Sequence, residues 1–307
     1  MDLIYYHGNC TDGWAAAYVA HLKYPEAKLV PAFYSTEPPY EDVEGKDVLM
    51  VDFAWKGREV NIKLNLLAKS LRIFEHHKTA AETLKNLEFV TYDVTRSGVG
   101  LAWDFLFGYE DFRHGNWDVH WVDIKDPQPR PWWVQYVEDY DLWVKKLDDT
   151  DAINMYLHAL PKTIEVWDLL AAHSQEGGKR IAFEQGSGML RQQNYQVKCL
   201  VEMANSGRGW GCTVGFVNAP YFLTSDVGHE LSKTHDIALV WQVRKDGLVS
   251  VGLRSIGDID VSKVAKRWGG GGHKNSAGFE LTHSQLQVML KDILSANDEY
   301  RITRCVS

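Results

Sequence analysis

Nowhere in the 307 residues is there a run of the roughly 18 to 20 uninterrupted apolar residues that would cross a bilayer. The start, MDLIYYHGNCTDG, has no basic segment leading into an apolar stretch, so no secretory signal is expected and the chain reads as cytoplasmic. Cysteine is scarce. Cys10, Cys199, Cys212 and Cys305 lie far apart without a CxxC pair, which excludes a zinc ribbon and a disulfide framework. Basic charge is short as well: 33 Lys and Arg face 41 Asp and Glu, a formal net charge of -8, which argues against a protein that coats long duplex nucleic acid. Short anionic substrates stay open, because bound cations can supply positive charge that side chains do not.

What is present suits one large or two medium domains, with 45% hydrophobic and 24% charged residues. The first 90 residues alternate short apolar runs with helix-like segments, the pattern of an α/β domain with a mainly parallel sheet. Strands are expected at 3–6, 28–33, 47–51, 71–74 and 87–92, and helices at 15–22 and 60–68. Ser97 reads as the N-cap of a helix through Phe105. Pro127, Pro129 and Pro131 mark a loop before an aromatic-rich helix at 132–143. Residues 163–204 are helical in composition but interrupted by Gly177, Gly178, Gly186 and Gly188, where the domain junction is placed. Beyond it, strands at 212–217, 237–243 and 248–254, a helix at 261–268, the segment GGGGHKNSAG and a helix after Thr282 indicate a smaller α+β domain. The expected organisation is a domain over 1–180, a helical linker at 181–206 and a second domain over 207–307, with the active-site cleft between the two domains.

Candidate chemistry gathers at strand ends, where the carboxyl ends of a parallel sheet bind ligands. His7 and Asp12 follow the first strand, Asp52 follows VLMV, and Glu75, His76 and His77 follow LRIF. Glu138, Asp139 and Asp141 form a further acidic cluster. Mixed imidazole and carboxylate ligands suit Mn, Fe or Zn, and a pair of such ions clamps the attacking and leaving oxygens of a phosphoryl group. Simpler roles exist: His7 as a loop histidine, Asp52 as a helix cap, and Glu138 on a solvated face. The His76 and His77 pair after a buried strand is the hardest to explain structurally.

These motifs, in this order, resemble the DHH family of phosphoesterases over nearly the full length. The matching residues are His7 with Asp12, then Asp52, Glu75-His76-His77, Asp139, and finally Gly270, Gly271, Gly272 and His273. The resemblance implies a two-metal centre, Mn with Mg or Co as substitutes, held by His7, Asp12, Asp52, His76 and Asp139, with Asp52 bridging. It implies that Asp52, His76 and His77 are catalytic, His77 facing the substrate phosphate. Arg254, His273 and the glycine run would bind phosphates, in accord with close backbone approach at glycine and bidentate Arg contacts. Ser97 is a further candidate for phosphate, through the free amides of its helix N-terminus with help from Arg96, and also a plain N-cap. Lys78 and Thr79 are weaker candidates of the same kind.

Two positions depart from the family pattern. Glu75 stands where the signature has Asp, one methylene longer, so its hydrogen bond behind a ligand must be re-aimed. Cys10 or Asn9 stands where many relatives have a second Asp, and a soft thiolate pairs poorly with Mn. The leading expectation is a two-metal phosphodiesterase that acts on short single-stranded oligonucleotides or small nucleotides and releases 5'-mononucleotides. The alternatives are a polyphosphate or pyrophosphate hydrolase and an inactive nucleotide-binding protein. A homodimer is left open.

Overall fold

Strands β1 (Leu3–His7), β2 (Lys28–Ala32), β3 (Asp47–Val51), β4 (Ser70–Glu75) and β5 (Val90–Tyr92) pair in parallel in the order β2-β1-β3-β4-β5 in a computed structural model of the chain. It describes residues 1–8, 10–78, 80–108 and 128–305, with side chains to 295; Asn9, Thr79 and Pro127, named above, lie outside the described residues. Alternation sends Ile4, Tyr6, Leu49, Val51 and Phe74 into one core, and Leu3, Tyr5, Val48, Met50, Leu71 and Ile73 into another. Both faces of the sheet are therefore covered, which is why its strands read as continuous apolar runs.

The helices of this unit are α1 (Thr11–Lys23), α2 (Tyr40–Val43), α3 (Arg58–Leu67), α4 (Ala81–Leu84), α5 (Gly98–Phe107), α6 (Trp132–Asp141), α7 (Thr150–Ala159) and α8 (Ile164–Ala171). Helix α1 is Ala-rich and buried from Asp12 through Ala20, packed against β1, α5 and α6. Small side chains on every side let its neighbours approach it closely. Trp132, Trp133 and Trp167 fill the same core, so the aromatic content here is structural.

Helix α9 (Gln175–Glu202) corrects one expectation: it runs for 28 residues straight through all four glycines. A Cβ at Gly186 would collide with the carbonyl oxygen of Ala152, so this glycine serves close packing and does not break the helix. The chain divides within this helix, into Met1–Leu190 and Arg191–Ser307.

The second unit is a six-stranded sheet in the order β10-β11-β9-β8-β7-β6, from β6 (Asn205–Gly209), β7 (Cys212–Asn218), β8 (Ile237–Val243), β9 (Val249–Arg254), β10 (Gly271–His273) and β11 (Ser276–Leu281). Only β7 and β8 pair in parallel, joined through α10 (Thr224–Ser232). Helices α11 (Val261–Arg267) and α12 (His283–Cys305) complete the unit, and α11 and α12 cover one sheet face. Of the glycine run, Gly271 and Gly272 lie with His273 in strand β10, paired antiparallel with β11. Among the described residues, no helix is long and apolar enough to cross a membrane.

Candidate metal centre

Strand order reverses between β1 and β3, the switch point where open parallel sheets bind ligands. His7 is the last residue of β1, Asp52 follows β3, and Glu75 ends β4 just ahead of His76 and His77. The chain turns at Asp52 through a left-handed conformation, φ 56°, at a cost on the order of 1 kcal/mol. The result is a carboxylate only 1% exposed, with Oδ1 2.9 Å from His76 Nε2 and Oδ2 3.5 Å from His7 Nδ1. The N-terminus of α5 packs so closely on it that a Cβ at Gly98 would collide with the Asp52 side chain.

Asp12, in the first turn of α1, accepts the backbone N–H of Gly98 at 2.6 Å and of Val99 at 2.9 Å. Its Oδ2 lies 3.6 Å from His76 Nε2. Asp141, at the end of α6 and partly open to solvent, brings its Oδ2 to 3.7 Å from the same nitrogen. Glu75, fully buried, accepts the N–H of His76 at 2.9 Å and of His77 at 2.7 Å on Oε1, which also lies 2.6 Å from His77 Nδ1. The extra methylene of Glu is thus used to fold back on its own loop and orient His77.

Two expected members are not in this cluster. Asp139 is buried with its carboxylate turned into the loop after α6, where it accepts Lys146 N at 2.9 Å, Leu147 N at 3.1 Å and Thr150 Oγ1 at 2.5 Å. These bonds occupy its oxygens, and Asp141, two residues on, takes the place expected of it. Ser97 is fully buried and caps α5 through Gly100 N, while its own N–H donates to Glu138 and the next two amides donate to Asp12. Every amide from Ser97 to Gly100 is thus bonded within the protein, leaving none at this helix N-terminus for the phosphate expected there. Arg96 is likewise engaged, with Asp104 and Glu138, and Arg130 binds Asp104 through both oxygens. Glu138, expected on a solvated face, belongs to this internal ion-pair network. Lys78 is exposed beyond the histidine pair.

Three carboxylates converge on one imidazole nitrogen that can donate one proton. Desolvation and then the charges of Asp52 and Asp141 push Asp12 well up, and desolvation and Asp52 push Asp141 up to about 6. Burial would lower His76, but the bond to Asp52 and the charges of Asp12, Asp52 and Asp141 raise it to about 10. Burial likewise opposes ionisation of Asp52, yet the neighbouring imidazoles of His7 and His76 hold it below the usual carboxylate range. Such mutual repulsion is relieved by cations, whose charge inverts the local preference. Donor atoms are grouped to match: His7, Cys10 and Asp52; Asp52, His76 and His77; Asp12, His76 and Asp141, each set within 4.8 Å. His7 Nδ1 and Asp52 Oδ2 are buried without a hydrogen-bond partner, as ligand atoms facing a metal would be. The residues fit a centre for divalent cations.

Residues 225–298 match the family model of the DHHA1 domain. The match lies within the second unit. Uncharacterized protein R106 of Acanthamoeba polyphaga mimivirus is 23% identical over 306 residues, covering 91% of this chain and 67% of that protein. Among solved structures, RecJ from Thermus thermophilus in complex with Mn2+ matches with a TM-score of 0.55 at 13% identity, covering 97% of this chain and 52% of that one. The pGpG-specific phosphodiesterase PggH from Vibrio cholerae matches with a TM-score of 0.53 at 9% identity, covering 97% and 99%. At these identities the likeness is one of fold, the DHH/DHHA1 fold of RecJ-like structures.

Within the second unit, register places Arg254 opposite Ser276 and Ser276 opposite His273, so the three lie in one row across β9, β11 and β10. Arg254 is half-buried under α10, its Nη2 donating to Ser225 Oγ at 2.9 Å and its Nη1 to Leu253 O at 2.9 Å. His273 is exposed at the end of the glycine run.

Sequence reasoning named the acidic cluster and took Asp139 from it, whereas the structure places Asp141 beside His76. Tyr34, whose ring lies 5.4 Å from that of His7, was missed altogether, because nothing local to YST marks it.

Proposed function

We propose that the chain is a phosphodiesterase dependent on two divalent cations, acting on short oligonucleotides or small nucleotides and releasing 5'-mononucleotides. The observation that carries this reading is the convergence of Asp12, Asp52 and Asp141 on His76 Nε2, beside the unpartnered His7 Nδ1 and Asp52 Oδ2. Asp12, Asp52, His76 and Asp141 would hold one cation and His7 and Asp52 the other, Asp52 being shared. Bound cations of this kind supply Lewis acidity to phosphoryl oxygens and acidify the attacking water.

The remaining work falls to side chains. Glu75 accepts from His77 Nδ1 and, against the opposing effect of burial, favours the imidazolium, so His77 Nε2–H is free to donate to a phosphoryl oxygen. The backbone amides of Gly98 and Val99 hold Asp12 in place, so that its carboxylate needs no ordering when substrate enters. In the second unit, Arg254 supplies positive charge and His273 a ring nitrogen for substrate phosphates. Likeness to a pGpG-specific phosphodiesterase supports a substrate of a few nucleotides, as does the net charge of -8.

The test is a time course with Mn2+ or Mg2+ and 5'-labelled RNAs of two to five nucleotides, beside polyphosphate. Mononucleotide release that Asp52→Asn abolishes is expected. Phosphate release from polyphosphate with no turnover of any dinucleotide would overturn the substrate class.

A further inference from the structure

Cys10 is a poor cap for the helix it precedes. It occupies the N-cap position of α1 with extended backbone, φ -115° and ψ 143°, yet its side chain makes no capping hydrogen bond. Ser, Thr, Asp and Asn are the residues that fill this position for stability, and a thiol is a weak acceptor. Instead the Sγ lies with the ligand atoms of His7 and Asp52, all within 4.8 Å of one another. Of those partners, Asp52 is 1% exposed with Oδ2 unpaired, and His7 Nδ1 is also buried and unpaired. Three donors of different character, one nitrogen, one sulfur and one oxygen, therefore gather in one place, and neither His7 Nδ1 nor Asp52 Oδ2 has a hydrogen-bond partner.

We propose that Cys10 is a metal ligand and that it makes the two halves of the centre chemically unlike. The His7, Cys10 and Asp52 set takes a thiophilic cation of the Zn2+, Co2+ or Fe2+ class, whereas Asp12, Asp52, His76 and Asp141, all nitrogen and oxygen, takes a harder one such as Mn2+ or Mg2+. On binding, the S–H bond breaks, the proton goes to solvent and a sulfur–metal bond forms. This replaces the expectation of a matched pair of Mn ions. It rests on the proposed function only in assuming that the centre holds cations.

The test is an anaerobic Co2+ titration of the full chain read by absorption, with Cys10→Ser and Cys10→Asp variants beside it. A thiolate-to-cobalt charge-transfer band in the near ultraviolet is expected for the native protein and its loss in both variants. Calorimetry should show the preference for Zn2+ over Mn2+ at this half-site falling at least tenfold in Cys10→Asp, whose carboxylate keeps a ligand there. Bound cobalt without the band in the native chain overturns the proposal, as does a band that survives in both variants, which would place the sulfur at another cysteine. Turnover of a dinucleotide by a native chain that lacks the band sinks the thiolate ligand and leaves the phosphodiesterase standing. The band with no turnover of any nucleotide substrate does the reverse.

Discussion

Glu75 Oε1 lies 2.6 Å from His77 Nδ1 while the same oxygen accepts the backbone N–H of both histidines. One buried carboxylate thus sets both the path of the loop after β4 and the orientation of the ring that ends it. Glu75→Ala is expected to lower kcat/KM on a dinucleotide about 10- to 100-fold, the usual cost of losing a carboxylate behind a site histidine. Glu75→Gln, which keeps an acceptor for the amides, should recover the melting temperature before it recovers the rate. Equal loss of both in the two variants would leave Glu75 with a structural role alone.

Asp141 and Asp139 are two residues apart on α6 and have opposite surroundings. Asp141→Asn should abolish cation-stimulated turnover and weaken cation binding in calorimetry, with the metal-free protein as stable as before or more so, because a carboxylate is removed from a crowd of three.

Asp139→Ala should do the converse, destabilising by about 2 kcal/mol through two orphaned amides and an orphaned hydroxyl. Burial raises the Asp139 carboxyl, but the bonds from Thr150, Lys146 and Leu147 outweigh it and leave the folded-state value lowered. A lowered folded value means that the stabilisation is fully present above about pH 4 and disappears as pH falls through the folded value. Thermal melts across that acid range should show Asp139→Asn with a flatter loss of stability than the native chain. An identical acid limb would refute this.

Ser97→Ala is expected to cost about 1 kcal/mol as a lost N-cap. The KM for a nucleotide substrate should not move, since every amide at this helix start is already bonded within the protein. A severalfold rise in KM at unchanged kcat would restore the phosphate-binding role.

Divalent cations should stabilise the fold itself. Any cation that binds the folded site and not the unfolded chain adds about 2.7 kcal/mol at a hundredfold excess over its Kd. Thermal melts with chelator, Mn2+ and Zn2+ should rise in that sense for the native chain, and the rise should vanish in Asp52→Asn, which removes the shared ligand.

How much of this could be read without the structure depends on the range of the interaction. The parallel sheet of the first unit announces itself, because strands buried on both faces become uninterrupted apolar runs such as VLMV, and a polar residue that ends such a run must lie at the sheet's carboxyl edge. His7, Asp52, Glu75, His76 and His77 were placed on that edge by sequence alone, and the N-cap at Ser97 was as local. The choice between Asp139 and Asp141 was not local. It turns on Lys146, Leu147 and Thr150 folding back over the end of α6, and a carboxylate surrounded by donors from its own loop is spent. The glycines of α9 misled for a similar reason: propensity counts what a glycine costs a helix, not what Ala152 gains by lying against it. The strand formed by Gly271 to His273 depends on pairing with β11, and the amides of α5 are closed to phosphate by Asp12, 86 residues away from Gly98. Sequence determined which residues stand at strand ends, because burial of a strand is written in its own alternation. Only the tertiary structure decided which of their polar atoms are already satisfied, because hydrogen-bond partners are chosen in space.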